Sequence, residues 1–209
     1  MEIEAFEVGQ LKTNCYLLID GDEAVIIDPG DEGDFLSEQV LQRNRALKYV
    51  IATHGHFDHV LGALELTLNF NAPFYAAKED IFLIKQARNN TKHWLGYDPQ
   101  LDPPVPTEFL TPKTPIVFGT TTLRVIPTPG HTPGSASLYN EKERALFCGD
   151  LLFKDGVGRT DFSYSSLPDL LKSLRIITSL PEKTVIYPGH GSAFSLASYM
   201  RLSPNKNYN

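Results

Sequence analysis

Cysteine is scarce in this 209-residue chain: Cys15 and Cys148 are the only two, and each sits on its own strand-like run. Two thiols without a C-x-x-C spacing exclude a disulfide framework and a redox dithiol, so both read as small buried hydrophobes of a reducing compartment. Runs of lysine or arginine are missing, and 19 basic against 25 acidic residues leave a net charge of −6. That balance works against a sequence-independent grip on nucleic-acid phosphates. No apolar run approaches the roughly 20 residues that a bilayer-spanning helix needs. The opening residues Met1-Glu2-Ile3-Glu4-Ala5-Phe6 carry neither the basic nor the apolar region of a secretory signal, so a cytoplasmic protein with no membrane partner is expected. The G-x-S-x-G elbow of serine hydrolases is absent too, so any hydrolytic chemistry needs another nucleophile.

At 42% hydrophobic, the composition supports one well-cored domain over residues 1–209. Oligomeric state is not legible. Histidine, though only six in number, is concentrated: Thr53-His54-Gly55-His56-Phe57-Asp58-His59 holds three imidazoles and a carboxylate directly after the apolar run Leu47–Thr53. In extended chain, side chains two residues apart point the same way, so His54 and His56 can converge on one ion. Asp58 and His59 fall where the chain turns towards a helix expected over Val60–Asn69, and they face a second, neighbouring ion. Three further polar groups follow strand-like runs. They are His131 in Thr128-Pro129-Gly130-His131-Thr132-Pro133-Gly134, Asp150 after Ala145–Gly149, and His190 in Tyr187-Pro188-Gly189-His190-Gly191.

The succession T-H-x-H-x-D-H, P-G-H-T, G-D and P-G-H, in this order and across essentially the whole chain, resembles the metallo-β-lactamase superfamily. Thr132-Pro133-Gly134 and Gly158-Arg159-Thr160-Asp161 are similar to the short glyoxalase II-like hydrolases within it. The resemblance implies an α/β fold, a four-layer αββα sandwich, with one metal held by His54, His56 and His131 and another by Asp58, His59 and His190. Asp150 would bridge them. It also implies two divalent ions, zinc first, since imidazole and carboxylate accept iron and manganese as well. A small-molecule thioester of the S-lactoylglutathione or hydroxyacyl-thiol class would be hydrolysed by a bridging hydroxide, with Asp58 catalytic as well as ligating, orienting the nucleophile and carrying its proton. An iron-dependent persulfide dioxygenase, and a lactonase or phosphodiesterase, share the same motif skeleton. The longer glyoxalase II enzymes carry an additional C-terminal helical region that helps hold glutathione, whereas only Ser192–Asn209 follows His190 here.

The remainder reads as an opening β-meander over Glu2–Val8, Cys15–Asp20 and Ala24–Asp28, then a helix carrying Phe35, Leu36, Val40 and Leu41. A strand at Pro73–Ala77 and a helix at Lys78–Arg88 follow, and Pro168–Leu180 forms the last helix. Asp28, before Pro29-Gly30, is either a turn former or an acceptor that orients a ligand imidazole. Asn89–Pro115, rich in proline and holding Trp94, reads as a long irregular loop that walls the site. His93 within it is a surface or lid residue. Arg159 either meets a substrate carboxylate or forms a buried pair with Asp161 or another carboxylate behind Asp150.

Overall fold

Alternation along the strands decides the layering. In strand β2, following β1 (Glu2–Val8) and spanning Thr13–Asp20, Cys15, Leu17 and Ile19 pack into one apolar cluster. Tyr16 and Leu18 of the same strand pack into another, so the sheet is covered on both faces. The computed structural model describes residues 1–202, and residues 203–209 of the expected domain lie outside the described residues.

β1, β2 and β3 (Glu23–Ile27) pair antiparallel as the expected meander. The next pairings are parallel, and each needs a crossover. Helix α1 (Gly33–Arg43) leads to β4 (Ala46–Ile51), and α2 (Ala63–Phe70) leads to β5 (Phe74–Ala76). After α3 (Ile81–Ile84) and α4 (Ala87–Leu95), the short β6 (Glu108–Phe109) completes a sheet in the order β1-β2-β3-β4-β5-β6. The second sheet begins antiparallel with β7 (Ile116–Phe118), β8 (Thr121–Pro127), β9 (Ala136–Asn140) and β10 (Ala145–Gly149). A small hairpin, β11 (Leu152–Phe153) and β12 (Gly156–Val157), precedes α5 (Leu167–Thr178). α5 crosses to β13 (Val185–Pro188), parallel to β10, and β14 (Phe194–Ser195) and α6 (Leu196–Leu202) follow.

Three apolar layers hold these elements together. Leu36 and Val40 of α1 and Ala63 and Leu66 of α2 pack on the outer face of the first sheet. Leu18, Val25, Ile27 and Ile51 meet Leu123, Val125, Leu138 and Phe147 between the sheets. Leu170, Leu174 and Ile177 of α5, with Leu196, cover Ile126, Leu146 and Ile186 on the far side. The fold is the αββα sandwich. Each fully buried leucine or isoleucine contributes about 1.5–3 kcal/mol relative to exposure, which makes these layers the main source of stability. Among the described residues, no helix is long and apolar enough to cross a membrane.

Asn89–Pro115 departs from expectation. Its start belongs to α4, where Ala87 and Thr91 are buried at helical spacing, the Thr91 hydroxyl donates to the Ala87 carbonyl, and Gly96 in the left-handed region ends the helix. The prolines begin only at Pro99, and their density obscured a short amphipathic helix lying ahead of them. The helix expected over Lys78–Arg88 is broken instead into a 3-10 turn at Lys78–Asp80 and α3. A second 3-10 turn, Phe57–His59, delays α2 until Ala63.

Trp94, on the exposed side of α4, keeps 58% of its surface accessible. Trp94→Ala is therefore expected to change the unfolding free energy by within about 0.5 kcal/mol, as measured by urea titration. A loss of about 3 kcal/mol or more would mean that the indole is part of the core.

Candidate metal centre

In open α/β sheets, ligands bind beyond the carboxyl ends of the strands, and the polar groups of this chain collect there. β4 delivers His54 and His56, and the 3-10 turn that follows delivers Asp58 and His59. β8, β10 and β13 lead to His131, Asp150 and His190. The sheets are joined at this edge by main-chain bonds from Ala136 N to Thr53 O (2.8 Å) and from Asn14 N to Gly189 O (2.7 Å). All seven residues named from the sequence come together. Ring nitrogens of His54, His56 and His131 lie within 4.8 Å of one another, as do ligating atoms of Asp58, His59 and His190. Asp150 stands between the groups, with Oδ2 3.6 Å from His131 Nε2 and 3.7 Å from His190 Nε2, and Oδ1 3.5 Å from His59 Nε2.

Each imidazole is held by its outer nitrogen. His131 Nδ1 is 2.9 Å from the Arg159 carbonyl oxygen, and His190 Nδ1 is 3.1 Å from that of Leu11. His56 Nε2 is 2.9 Å from the Tyr164 hydroxyl. The Thr53 hydroxyl donates to Asp28 Oδ2 (2.8 Å), so it accepts from His54 Nδ1 at 3.2 Å. His59 Nδ1 lies 3.1 Å from Asp28 Oδ2. These contacts orient the rings and leave one nitrogen of each aimed at the cluster, where His131 Nε2 and His56 Nδ1 stand 3.0 Å apart. Asp28 thus fulfils both of its expected roles, adopting a left-handed φ of 54° at the turn while its buried carboxylate braces Thr53 and His59.

The electrostatics divide the cluster. Burial, reinforced by the neighbouring imidazoles, pushes His54 well down, and burial with His131 lowers His56 to about 3. His59 goes the other way: burial opposes its charge, yet the carboxylates of Asp28, Asp58 and Asp150 raise it to about 10. Burial would raise Asp58, but His59 and the hydrogen bond from His190 hold its carboxyl well below the usual range. Buried polar atoms are rarely left unpaired. Here His54 Nε2, His59 Nε2 and Asp150 Oδ1 have no hydrogen-bond partner. Unpaired nitrogen and carboxylate donors, preoriented around a negative centre, fit divalent cations. Gly189 shows how tightly the space is filled, since a Cβ there would stand 2.2 Å from Asp150 Oδ1 and 2.7 Å from His59 Cε1.

A cleft of about 460 Å³ opens onto the cluster. Asn90, Trp94 and Leu95 of α4 line one side, and Arg159, Phe162 and Tyr164 line another. Arg159 pairs bidentately with Asp161 (2.7 and 2.6 Å) and lies 4.4 Å over the Phe162 ring. That pair holds the Asp161 carboxyl down at about 2. The expected burial is overturned, because both side chains are more than half exposed, on a segment that itself forms no helix or strand. His93 is exposed and edge-on to Trp94, away from the cluster. Tyr164 was not foreseen, nor was Thr13, whose hydroxyl donates to Asp58 Oδ2 at 3.2 Å. Neither lies in a motif, so only the tertiary pairing reveals them.

An αββα sandwich carrying a histidine and aspartate cluster along one sheet edge defines a metallo-hydrolase. The chain belongs to the metallo-beta-lactamase superfamily, whose sequence pattern matches residues 8–190. It is 37% identical over 212 residues to a protein of Aquifex aeolicus, covering 98% of this chain and 96% of that one. It is 31% identical over 208 residues to the hydroxyacylglutathione hydrolase GloC of Haemophilus influenzae, covering 98% and 97%. The structure of the BLEG-1 B3 metallo-beta-lactamase superposes with a TM-score of 0.88 at 32% identity, covering 96% of this chain and 97% of that one. TTHA1623 in a di-iron-bound form superposes at 0.86 and 32%, covering 98% of both.

The opposed shifts predict a stability maximum in protein stripped of metal. His56, at about 3 when folded against 6.5 when free, leaves the unfolded chain binding more protons between those values, so stability rises with pH there. His59, at about 10, adds stability that is fully present below 6.5 and is lost as pH climbs towards 10. Denaturation midpoints of chelator-treated protein should pass through a maximum near the lower end of that second window. Asp28→Asn should flatten the alkaline fall, and an unchanged alkaline limb in that variant would contradict the assignment.

Proposed function

We propose that this chain is a dinuclear metal-dependent hydrolase that cleaves thioesters of the hydroxyacyl-thiol class. The observation that carries the reading is the set of five imidazoles, each contacted from outside, whose inner nitrogens converge with two carboxylates and leave His54 Nε2, His59 Nε2 and Asp150 Oδ1 without a hydrogen-bond partner. The likeness over nearly the whole chain to a hydroxyacylglutathione hydrolase supports the choice of thioester.

His54, His56 and His131 would hold one ion and Asp58, His59 and His190 the other, with Asp150 shared. Zinc suits these donors, and iron suits them too, in line with the di-iron form of TTHA1623. When bound, a pair of such ions supplies Lewis acidity towards a carbonyl oxygen and lowers the pKa of water towards neutrality. Asp58 is anchored by Thr13 beside His59 and His190, so it can orient the attacking water and take its proton. The water oxygen bonds to the acyl carbon, the C–S bond breaks, and the thiolate leaves with the proton that Asp58 carried. Trp94 and Leu95 seat the apolar part of the substrate, in the cleft that Arg159 also lines.

Metal analysis together with an assay panel of thioesters, lactones and phosphodiesters on metal-defined protein tests the proposal. The expected result is two ions per chain with thioesters preferred. One iron per chain with consumption of oxygen on persulfides would overturn it in favour of a dioxygenase.

Asp150→Ala is expected to lower metal content and nearly abolish turnover. Asp58 lies inside the 3-10 turn and not at its cap, so Asp58→Asn should still fold and lose on the order of 10²–10⁴-fold in kcat, the usual contribution of a general base. Melting and kcat measured on one preparation check this. Trp94→Ala should raise KM more than it lowers kcat, because the indole touches substrate away from the reacting carbon. Equal losses in kcat and kcat/KM would refute that role.

A further inference from the structure

Asp80 ends the 3-10 turn after β5, belongs to no motif, and has no exposed surface. Its carboxylate accepts three hydrogen bonds, from Gly55 N (2.8 Å), Gly134 N (2.7 Å) and the Thr132 hydroxyl (2.7 Å). Gly55 lies between His54 and His56 on the loop borne by the first sheet. Thr132 and Gly134 follow His131 on the loop borne by the second. One buried anion therefore ties together the two segments that supply the first histidine group.

The glycines on either side record how close this approach is. A Cβ at Gly55 would stand 2.9 Å from Asp80 Cβ and 2.8 Å from its carbonyl oxygen. A Cβ at Gly134 would stand 2.6 Å from Asp80 Cγ. Neither glycine has a positive φ, so the requirement is for space and not for backbone conformation. The Thr132 hydroxyl is further braced against Ser135 Oγ at 2.7 Å, which ties the donor to its own loop.

We infer that Asp80 is a positioning residue: by clamping the Gly55 and Thr132–Gly134 segments it sets the spacing of His54, His56 and His131 and hence the affinity of that group for its ion. The inference rests on the dinuclear reading above. A charged acceptor strengthens each of these bonds roughly twofold over a neutral one. An amide could not substitute, because the pocket presents three donors, and an asparagine would offer one acceptor and turn its NH2 against a further N–H or O–H. The second group, Asp58, His59 and His190, makes no hydrogen bond to Asp80, so the effect should be confined to the first.

The test titrates metal-free wild type and Asp80→Asn with Co(II), followed by visible absorption and by competition with a chelator. His54→Ala and His190→Ala assign each isotherm to its group. The expected result is a 10–100-fold weaker affinity at the first group, the usual penalty for removing an outer partner of a metal site, with the second group unchanged. Unchanged affinities at both groups, whatever the melting temperature does, would overturn the inference, and so would an equal loss at both. If Asp80→Asn does not fold, Thr132→Val removes one donor and keeps both backbone bonds. It should give a smaller loss at the first group alone, and no loss there counts against the clamp. A wild-type protein that binds no ion defeats the dinuclear reading itself, whereas a wild type with two ions and a variant that matches it defeats only the role of Asp80.

Discussion

His59 has no exposed surface, and its ring touches the carboxylates of Asp28, Asp58 and Asp150 at 3.1–3.7 Å. Withdrawing several anions from water is costly unless positive charge stands among them. Whatever occupies the cluster, proton or metal, must therefore be a cation. Asp28 follows β3, Asp58 follows β4 by way of the 3-10 turn, and Asp150 follows β10, so the demand falls on both sheets. The sheets can meet it only if these strands end level with one another. The apolar layer between them, with Ile27 and Ile51 against Leu138 and Phe147, provides that alignment. The core and the site thus share the same strands, one holding the register that the other needs.

The site was legible in the sequence because its ligands are marked locally. Thr53–His59 compresses four of them, and proline and glycine frame His131 and His190 at the ends of strands. The layering was legible for a similar reason, since the unbroken apolar runs of β2 and β10 report two buried faces. Pairings across long stretches of chain left no such mark. Tyr164 lies 108 residues from His56, and Asp80 lies 52 and 54 residues from Thr132 and Gly134. Nothing in the local sequence distinguishes these residues from an ordinary loop tyrosine or a turn aspartate. α4 was hidden for a different reason: its buried stripe is short, and the prolines just beyond it dominate the reading of the segment.

Close packing explains why so many turns here are glycine. Gly149, at a φ of 49°, brings its backbone where a Cβ would meet Thr53 Oγ1 at 2.2 Å, and Gly158 does the same against the Asp150 carbonyl oxygen at 1.9 Å. With the backbone this near, the cluster has little freedom to expand, and its ligand spacing comes from the main chain as much as from side-chain rotamers. Such rigidity suits a centre whose donors must be in place before any cation arrives.

The outer partners of the imidazoles have one more implication. His131 and His190 are oriented by the carbonyl oxygens of Arg159 and Leu11, atoms that every amino acid possesses. The side chains of those same two residues line the cleft. Heredity can therefore rewrite positions 11 and 159 one codon at a time, altering what the cleft admits, while both histidines stay in their orientation. The chemistry is inherited through the backbone and the selectivity through the side chains, so descendants of this chain are free to change diet without first losing their teeth.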